Sequence, residues 1–189
     1  PTQRIAVISS ATAAGIGAIS NQLDGNKYGF YFYYKLFPAI VQGDKAAQSI
    51  IDALDSILDE LDNFDAVIII RGGGATTDLL AFDDYDLASH VAQFPLPIIT
   101  GIGHERDESI VDMVAHTHCK TPTAVAAFLI DSMLNLENRV LQLASEIRMK
   151  LSLFTAENNR ILDRKMDRIS YCLNQKVSQE KLALERYNF

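Results

Sequence analysis

The positions of glycine and proline divide this chain into two parts. All ten glycines lie at or before Gly103, and all five prolines lie at or before Pro122. Residues 123–189 therefore lack both of the residues that most readily interrupt a helix. The first part has the turn-forming residues that a fold with many connections needs. The second part is free to form one long helix.

The second part carries an apolar seam with alternating spacings of four and three residues. This spacing is that of the heptads in coiled coils. It predicts a long helical, coiled-coil-like segment over residues 123–189 that pairs with another helix, and a helix packed on its own domain is the alternative. The seam residues are Val140, Ala144, Ile147, Leu151, Phe154, Asn158 and Ile161, and a run shifted by one residue follows at Leu162, Met166, Ile169 and Leu173.

The first part alternates strand-like and helix-like patterns. This alternation predicts an α/β domain over residues 1–122 with a parallel, Rossmann- or flavodoxin-like sheet and flanking helices. The stretch DAVIIIR is a continuous apolar run, which is typical of a strand buried on both faces. The predicted strands are 4–10, 28–39, 65–71 and 97–103, and the predicted helices are 13–23, 44–61 with Asp44 as its cap, 84–94 and 107–116.

Charge and cysteine content narrow the functional classes. The net charge is −7, and residues 1–122 carry 7 Lys and Arg against 16 Asp and Glu. Charge alone therefore argues against nucleic-acid binding, which usually uses a basic patch. Cys119 and Cys172 lie far apart, so no disulfide framework is expected, and a reducing cytoplasm suits them. The apolar runs are too short for a membrane span.

Three distinctive segments directly follow predicted strands. They are SSATAAGIG at 9–17, RGGGATTDL at 71–79 and GIGHERD at 101–107. In an open parallel sheet, ligands bind at the carboxyl ends of the strands. We therefore expect these segments to meet in one crevice.

Two of these segments contain side chains suited to chemistry on a phosphate. The amides of Gly72, Gly73 and Gly74 can cradle a phosphate oxygen beside the Arg71 guanidinium, although a glycine triplet also serves tight turns. His104 can transfer protons near neutral pH, and Asp107 can orient it if the next helix begins near Arg106. A helix-capping or core histidine is the alternative.

Other polar residues are less distinctive. Asp78 and Asp112 suit either a functional role or, respectively, a turn and a solvated helix face. The run from His116 to Cys119 is too short to wrap a tetrahedral metal ion by itself. We therefore expect a mechanism that needs no metal and no cofactor.

The segments together resemble the large subunit of exodeoxyribonuclease VII. The resemblance covers residues 4–130, where the motifs follow the order and spacing of the family, and the heptad tail resembles the long C-terminal helices of that family. Relative to the family, an N-terminal OB-fold domain is missing, so a fragment is expected. The matching stretches are 9–17, VQGD at 41–44, RGGG with Asp78-Leu79 and Phe82-Asp83, GIGHERD with Ile110 and Asp112, and TPTA at 121–124.

The resemblance implies specific site residues. Arg71, His104 and Asp107 match catalytic positions of the family, with His104 as general acid, general base or nucleophile. Thr12, Asp78 and Thr121 join the triglycine at 72–74 as expected substrate-binding residues. A fourth catalytic position, an Asp in the family, is Ala18 here, which is either an inactivating substitution or a natural divergence. Thr77, His118 and Ala127 also depart from the family pattern.

The resemblance also implies a function and partners. It implies metal-independent exonucleolytic hydrolysis of single-stranded DNA to short oligonucleotides in the cytoplasm. The expected partners are the small subunit, bound through the C-terminal helices, and further copies of the chain. Two alternatives remain open at this point: an enzyme acting on a sugar phosphate or nucleotide through the same phosphate cradle, and a non-catalytic partner-binding module.

Overall fold

A computed structural model describes residues 2–10, 14–71, 76–102 and 108–187. The chain forms two compact units, Pro1–Glu137 and Asn138–Phe189. The first unit contains the sheet, and the second consists of helix. The predicted division into residues 1–122 and 123–189 stays a prediction. The last helix begins at Pro122, and its first turns belong to the first unit.

The first unit is built on a five-stranded parallel sheet. The strands are β1 (Arg4–Ser9), β2 (Tyr33–Pro38), β3 (Ala66–Ile70), β4 (Ile98–Gly101) and β5 (Thr117–His118). Their order across the sheet is β2-β1-β3-β4-β5, and each pairing is parallel. The predicted α/β fold class with a parallel sheet is therefore confirmed.

Helices cover both faces of this sheet. They are α1 (Ala14–Asp24), α2 (Ala46–Leu58), α3 (Tyr85–Gln93), α4 (Ile110–Val114) and α5 (Pro122–Tyr187). Short 3-10 segments lie at Leu61–Asn63 and Thr76–Asp83. The predicted helix 84–94 is close to α3, which begins where the Asp84 side chain accepts a hydrogen bond from the Leu87 amide.

The continuous apolar run of β3 is explained by burial on both faces. Val67 and Ile69 belong to one hydrophobic cluster, to which α2 and α3 contribute. Ala66, Ile68 and Ile70 belong to a second cluster, which also contains residues of α1 and α5. Alternate side chains of a strand point to opposite faces. Every residue of β3 is therefore core.

The aromatic strand predicted at 28–39 is shorter in the structure, where β2 spans only Tyr33–Pro38. Asn26 explains the difference. Its side-chain amide donates to the Leu23 and Phe30 carbonyls, and its Oδ1 accepts from the Phe30 amide. Gly29, with φ of 72°, adds a left-handed turn within this loop. A side chain that satisfies the backbone locally competes with strand pairing.

Two predicted helix starts are wrong. The N-cap of α2 is Lys45 rather than Asp44, and no side chain caps it. Helix α4 begins at Ile110 rather than near Arg106, because the Ser109 side chain caps it by accepting from the Asp112 amide. Residues 108 and 109 are not helical. The short strand β5 follows α4 and was not predicted.

The predicted long C-terminal helix is confirmed as α5. Its first turns are buried, since Val125, Ala126, Leu129 and Ile130 belong to the second cluster. In the second unit its apolar side chains are exposed. Leu151 is 57% exposed, Phe154 66% and Ile161 39%. None of the helices in the described ranges is long and apolar enough to cross a membrane.

Asp65 links the amino ends of β1 and β3. Its carboxylate accepts hydrogen bonds from the Gln3 and Arg4 amides and from the Arg4 guanidinium, at 2.7 Å from Nη2. Burial raises the pKa of Asp65, but these hydrogen bonds outweigh it and lower the pKa to about 2. The ionised form is therefore the one that stabilises the fold.

This link predicts a defined acid dependence. A carboxylate with a depressed pKa contributes stability above its unfolded pKa of 3.8 and loses that contribution as pH falls toward about 2. We expect Asp65→Asn to lower the free energy of unfolding at pH 7 and the gap to close below pH 4. Urea unfolding of both proteins across this range measures the gap. A gap that is constant with pH would contradict the assignment.

Candidate functional site

The carboxyl ends of β1, β3 and β4 lie side by side at one edge of the sheet. Ser9, Ile70 and Gly101 are their last residues. The three distinctive segments of the sequence follow these ends, as predicted. Within them, Thr12, Gly72–Gly74, His104 and Asp107 fall outside the residues that the structure describes. Their proposed roles stay predictions.

Arg71 is the predicted catalytic residue that the structure describes. It directly follows β3, and its amide donates to the Gly101 carbonyl at 3.5 Å. Only 5% of the residue is exposed. Arginine is almost never buried without a partner, because its charge is costly to remove from water. Arg71 is thus a cation embedded at the end of the central strand.

The amino end of α5 packs closely on this edge at two glycines. A Cβ atom placed on Gly15 would lie 3.1 Å from Pro122 Cγ and 3.4 Å from the Arg71 carbonyl oxygen. A Cβ atom on Gly101 would lie 2.7 Å from Val125 Cγ2 and 3.2 Å from the Thr121 carbonyl oxygen. Glycine at these positions allows α1, α5 and the strand ends to approach one another.

Thr121 caps α5. Its Oγ1 accepts a hydrogen bond from the Ala124 amide at 3.1 Å and pairs with Thr123 Oγ1 at 2.9 Å. The residue is exposed and lies next to the contacts at Gly101. The predicted substrate-binding position is therefore near the strand edge. The hydrogen bonds of Thr121 show a role at the helix terminus.

A buried polar network joins β4 to α4. Asp112 accepts hydrogen bonds from Thr100 Oγ1 at 2.5 Å, from Ser109 Oγ at 2.8 Å and from the Ser109 amide at 3.2 Å. Asp112 is 4% exposed, Ser109 3% and Thr100 0%. The solvated helix face considered for Asp112 is therefore wrong. Its carboxylate is an internal hydrogen-bond acceptor.

The segment after β3 reaches the same helix. Asp83, at the end of the 3-10 segment, accepts a hydrogen bond from the Ile110 amide at 3.0 Å. Phe82 beside it is fully buried. The backbone of Asp78 lies in the same 3-10 segment rather than in a simple turn. The connections that follow β3 and β4 are thus tied together at Asp83 and Ile110.

Among the residues that the structure describes, two clefts open near this edge. One, of about 550 Å³, lies where β1 and β2 end and is lined by Ser10, Pro38–Gln42 and Ser49. The other, of about 340 Å³, lies between residues 43–47 and 80–84 and contains Asp44, Asp83 and Asp84. Carboxylates repel an anionic ligand. The second cleft is therefore the less favourable of the two for an anionic ligand.

The run from His116 to Cys119 does not gather around a metal position. His116 Nδ1 contacts Thr117 Oγ1 at 2.9 Å, and His118 Nδ1 lies 3.7 Å from Glu108 Oε1. Cys119 is half-buried, and burial raises the pKa of its thiol. Outside the gaps at 11–13, 72–75 and 103–107, no three His, Cys, Asp or Glu residues are grouped as metal ligands would be.

Ala18, at the position of the family aspartate, lies in α1 and is partly buried. Thr77 lies in the 3-10 segment after β3, and His118 lies in β5. Ala127 is a partly buried residue of α5. Each departure therefore lies on a helix or strand of the first unit.

Sequence reasoning missed the network around Asp112 and the contacts of Gly15 and Gly101. The sequence carried a signal for one part of the network. Ser109 is followed three residues later by the acidic Asp112, and this spacing resembles a capping box. The link to Thr100 had no such signal. The two residues are 12 positions apart, and only the packing of α4 against β4 brings them together.

The fold is an α/β fold with a parallel sheet, a class in which ligands bind at the carboxyl ends of the strands. Comparison with known proteins gives the family. The family model described as "Exonuclease VII, large subunit" matches residues 1–188. The chain therefore belongs to the exonuclease VII large subunit family. This membership confirms the resemblance and does not favour the alternative of a sugar-phosphate or nucleotide enzyme.

Individual relatives agree with the family. The exodeoxyribonuclease 7 large subunit of Nostoc sp. PCC 7120 is 36% identical over 96% of this chain, and that of Lactobacillus johnsonii is 31% identical over 98%. The corresponding protein of Cyanothece sp. PCC 7425 is 41% identical over 71% of the chain. The chain spans 45%, 41% and 31% of the lengths of these relatives.

The close approach at Gly101 leads to a test by a pair of glycine substitutions. We expect Gly101→Ala to lower the free energy of unfolding by about 1–3 kcal/mol, because the new methyl group must displace Val125 or the Thr121 backbone. Gly17→Ala is the control, since no atom lies within 4 Å of its Cβ position and alanine favours helix α1. Denaturant unfolding measures the free energy of unfolding of both variants. An equal change in the two variants would contradict the close packing of α5 against Gly101.

Proposed function

We propose that this chain carries the catalytic part of a nuclease that hydrolyses phosphodiester bonds in single-stranded DNA, releasing short oligonucleotides from chain ends. Family membership across residues 1–188 is the observation that carries the proposal. The relatives named above are exodeoxyribonucleases by name. A cytoplasmic location, where Cys119 and Cys172 stay reduced, belongs to the same proposal.

The buried position of Arg71 supports its proposed role. Arg71 is 5% exposed as a residue, so its charge is largely removed from screening by water. Its attraction for a phosphate is stronger there than at an open surface. The amides of Gly72–Gly74 directly follow it in sequence and are proposed to donate to the same phosphate. Together they would stabilise the charge that develops on the phosphate during hydrolysis.

His104 and Asp107 complete the proposed chemistry. During hydrolysis the oxygen of water bonds to phosphorus, the bond from phosphorus to the leaving oxygen breaks, and a proton passes to that leaving oxygen. We assign the proton transfer to His104, whose ordinary pKa suits neutral pH. Asp107 is assigned the orientation of the imidazole. Thr12, Asp78 and Thr121 are the remaining proposed substrate contacts.

The acidic surface of the first part constrains how DNA is bound. Residues 1–122 carry more than twice as many acidic as basic residues. The overall electrostatic field of this unit therefore contributes little to its affinity for DNA, which is a polyanion. The affinity must come from local contacts such as Arg71 and the proposed glycine amides, or from parts of the protein outside this chain.

The nuclease proposal predicts metal-independent cleavage. We expect the full-length protein with its small subunit to degrade a labelled single-stranded oligonucleotide in the presence of EDTA, because Arg71 supplies the positive charge. Arg71→Lys should lower kcat at least tenfold, since lysine cannot make a bidentate contact. Gel analysis of the products measures both. Activity that EDTA abolishes and magnesium restores would refute metal independence.

The substitution at Ala18 has its own test. Restoring the family residue with Ala18→Asp should increase kcat at least tenfold if the missing carboxylate limits the reaction, as expected for a group that contacts the reacting centre. Gly17→Ala, in the adjacent position, is the control and should leave kcat unchanged. An Ala18→Asp protein with the original kcat would show that this chain does not use the position.

We also propose that α5 beyond Glu137 binds the small subunit and further copies of the chain. The support is its exposed apolar surface, at Ile147, Leu151, Phe154 and Leu173 among others. Covering one such side chain stabilises a complex by roughly 1.5–3 kcal/mol. A heptad seam is the pattern that pairs helices.

The assembly proposal predicts that charged substitutions in the heptad seam lower the mass of the complex in solution. Replacing Leu151, Phe154 and Ile161 with Glu should dissociate the complex of this chain with the small subunit and with further copies of itself. Light scattering over a dilution series measures the mass of the complex. The contribution of the sheet-containing unit to the circular dichroism should stay unchanged. The control replaces Gln142, Ser145 and Asn174 with Glu, which adds the same charge on the other side of the helix at 3.6 residues per turn. Equal dissociation by both triple variants would attribute the effect to charge rather than to the seam.

A further inference from the structure

The buried carboxylate of Asp112 is the group that the proposed chemistry leaves unused. A carboxylate that is 4% exposed is costly unless hydrogen bonds compensate it. Here both of its oxygens are engaged, Oδ1 by Thr100 and Oδ2 by Ser109. A surface cap could stabilise α4 without this cost. The burial therefore calls for an explanation beyond capping a helix of five residues.

The partners of Asp112 lie on the two sides of one connection. Thr100 precedes Gly101 in β4, and Ser109 precedes Ile110 in α4. Between them in sequence lie His104 and Asp107, the residues assigned to proton transfer and its orientation. Thr100 is four residues before His104, and Ser109 is two residues after Asp107. One side chain thus fixes both ends of the segment that carries the proposed acid–base pair.

Neighbouring contacts make these two ends rigid. The Thr100 carbonyl accepts from the Cys119 amide at 2.8 Å, and Thr100 is paired with β5. On the other side, the Ile110 amide donates to Asp83, and Val111 is fully buried in the first cluster. Gly101 and Ile102 are also buried. Asp112 therefore bridges two parts of the fold that are each independently anchored.

We propose that Asp112 and Thr100 are positioning residues for the reaction, which set the geometry of the connection that carries His104 and Asp107. This inference rests on the proposed nuclease function. Neither residue contacts the reacting atoms in this proposal. Their hydrogen bond instead keeps the ends of the connection at a fixed separation, and a misplacement of about 1 Å in a catalytic group can cost on the order of a hundredfold in rate.

Thr100→Val is the decisive variant. Valine has nearly the shape of threonine but lacks the hydroxyl, so it removes only the bond to Asp112. In the full-length protein with its small subunit, we expect kcat on single-stranded DNA to fall about ten- to a hundredfold, while KM stays within about threefold. Thr100→Ser keeps the hydroxyl and should restore most of kcat. Asp112→Asn should also lower kcat, because asparagine has a single acceptor oxygen and cannot accept hydrogen bonds from both Thr100 and Ser109 in the present geometry.

Asp65→Asn is the matched control for lost stability. It removes a partly buried carboxylate from the opposite, amino end of the strands. We expect it to lower the melting temperature at least as much as Thr100→Val and to leave kcat unchanged. A positioning role is overturned if Thr100→Val keeps the wild-type kcat, if Thr100→Ser is impaired as severely as Thr100→Val, or if Asp65→Asn loses kcat to the same extent.

The behaviour of the unmodified protein separates the two proposals. If the wild-type protein cleaves single-stranded DNA and Thr100→Val cleaves it with the same kcat, the positioning role is overturned and the nuclease proposal stands. A wild-type protein that binds but never cleaves single-stranded DNA would overturn the nuclease proposal, and the positioning role would fall with it. Cleavage by wild type, loss in Thr100→Val and recovery in Thr100→Ser would support both.

Discussion

The close approach of α5 to the ends of the central strands is the contact on which the rest of this fold depends. Gly101 has no Cβ, so Val125 and the Thr121 backbone can lie against β4 at van der Waals distance. This approach lets Val125, Ala126, Leu129 and Ile130 cover one face of the sheet. Without that cover, the alternate side chains of β3 on this face would lose their apolar surroundings, and burial is the main source of their stabilisation.

Two charged residues at the same edge of the sheet are buried. Arg71 and Asp112 are both less than one-tenth exposed, and they follow neighbouring strands. The carboxylate of Asp112 is satisfied internally by Thr100 and Ser109, which makes it part of the framework. In the proposals above, Arg71 binds the phosphate and Asp112 positions the connection that precedes it.

Much of the fold could be predicted because its periodicities are strong. The run at 65–71 predicted a strand buried on both faces, and β3 is such a strand. The tail without glycine or proline predicted a long helix, and α5 is that helix. Predictions failed where a single side chain decided a boundary. Asn26 shortened β2, and Ser109 moved the start of α4 beyond Arg106. Local hydrogen bonds of this kind do not repeat, so they leave no periodic signal.

The sequence by itself determined the alternation of β1 to β4 with α1 to α4, the strand-end placement of Arg71 and the family to which the chain belongs. These follow from hydrophobic period and from motifs read along the chain. Only the tertiary structure decided that Thr100 meets Asp112 and that Gly15 and Gly101 meet the start of α5. The physical reason is distance in sequence. Hydrogen bonds and van der Waals contacts act over a few ångströms, and residues 12 to 107 positions apart reach that range only when the helices have packed on the sheet.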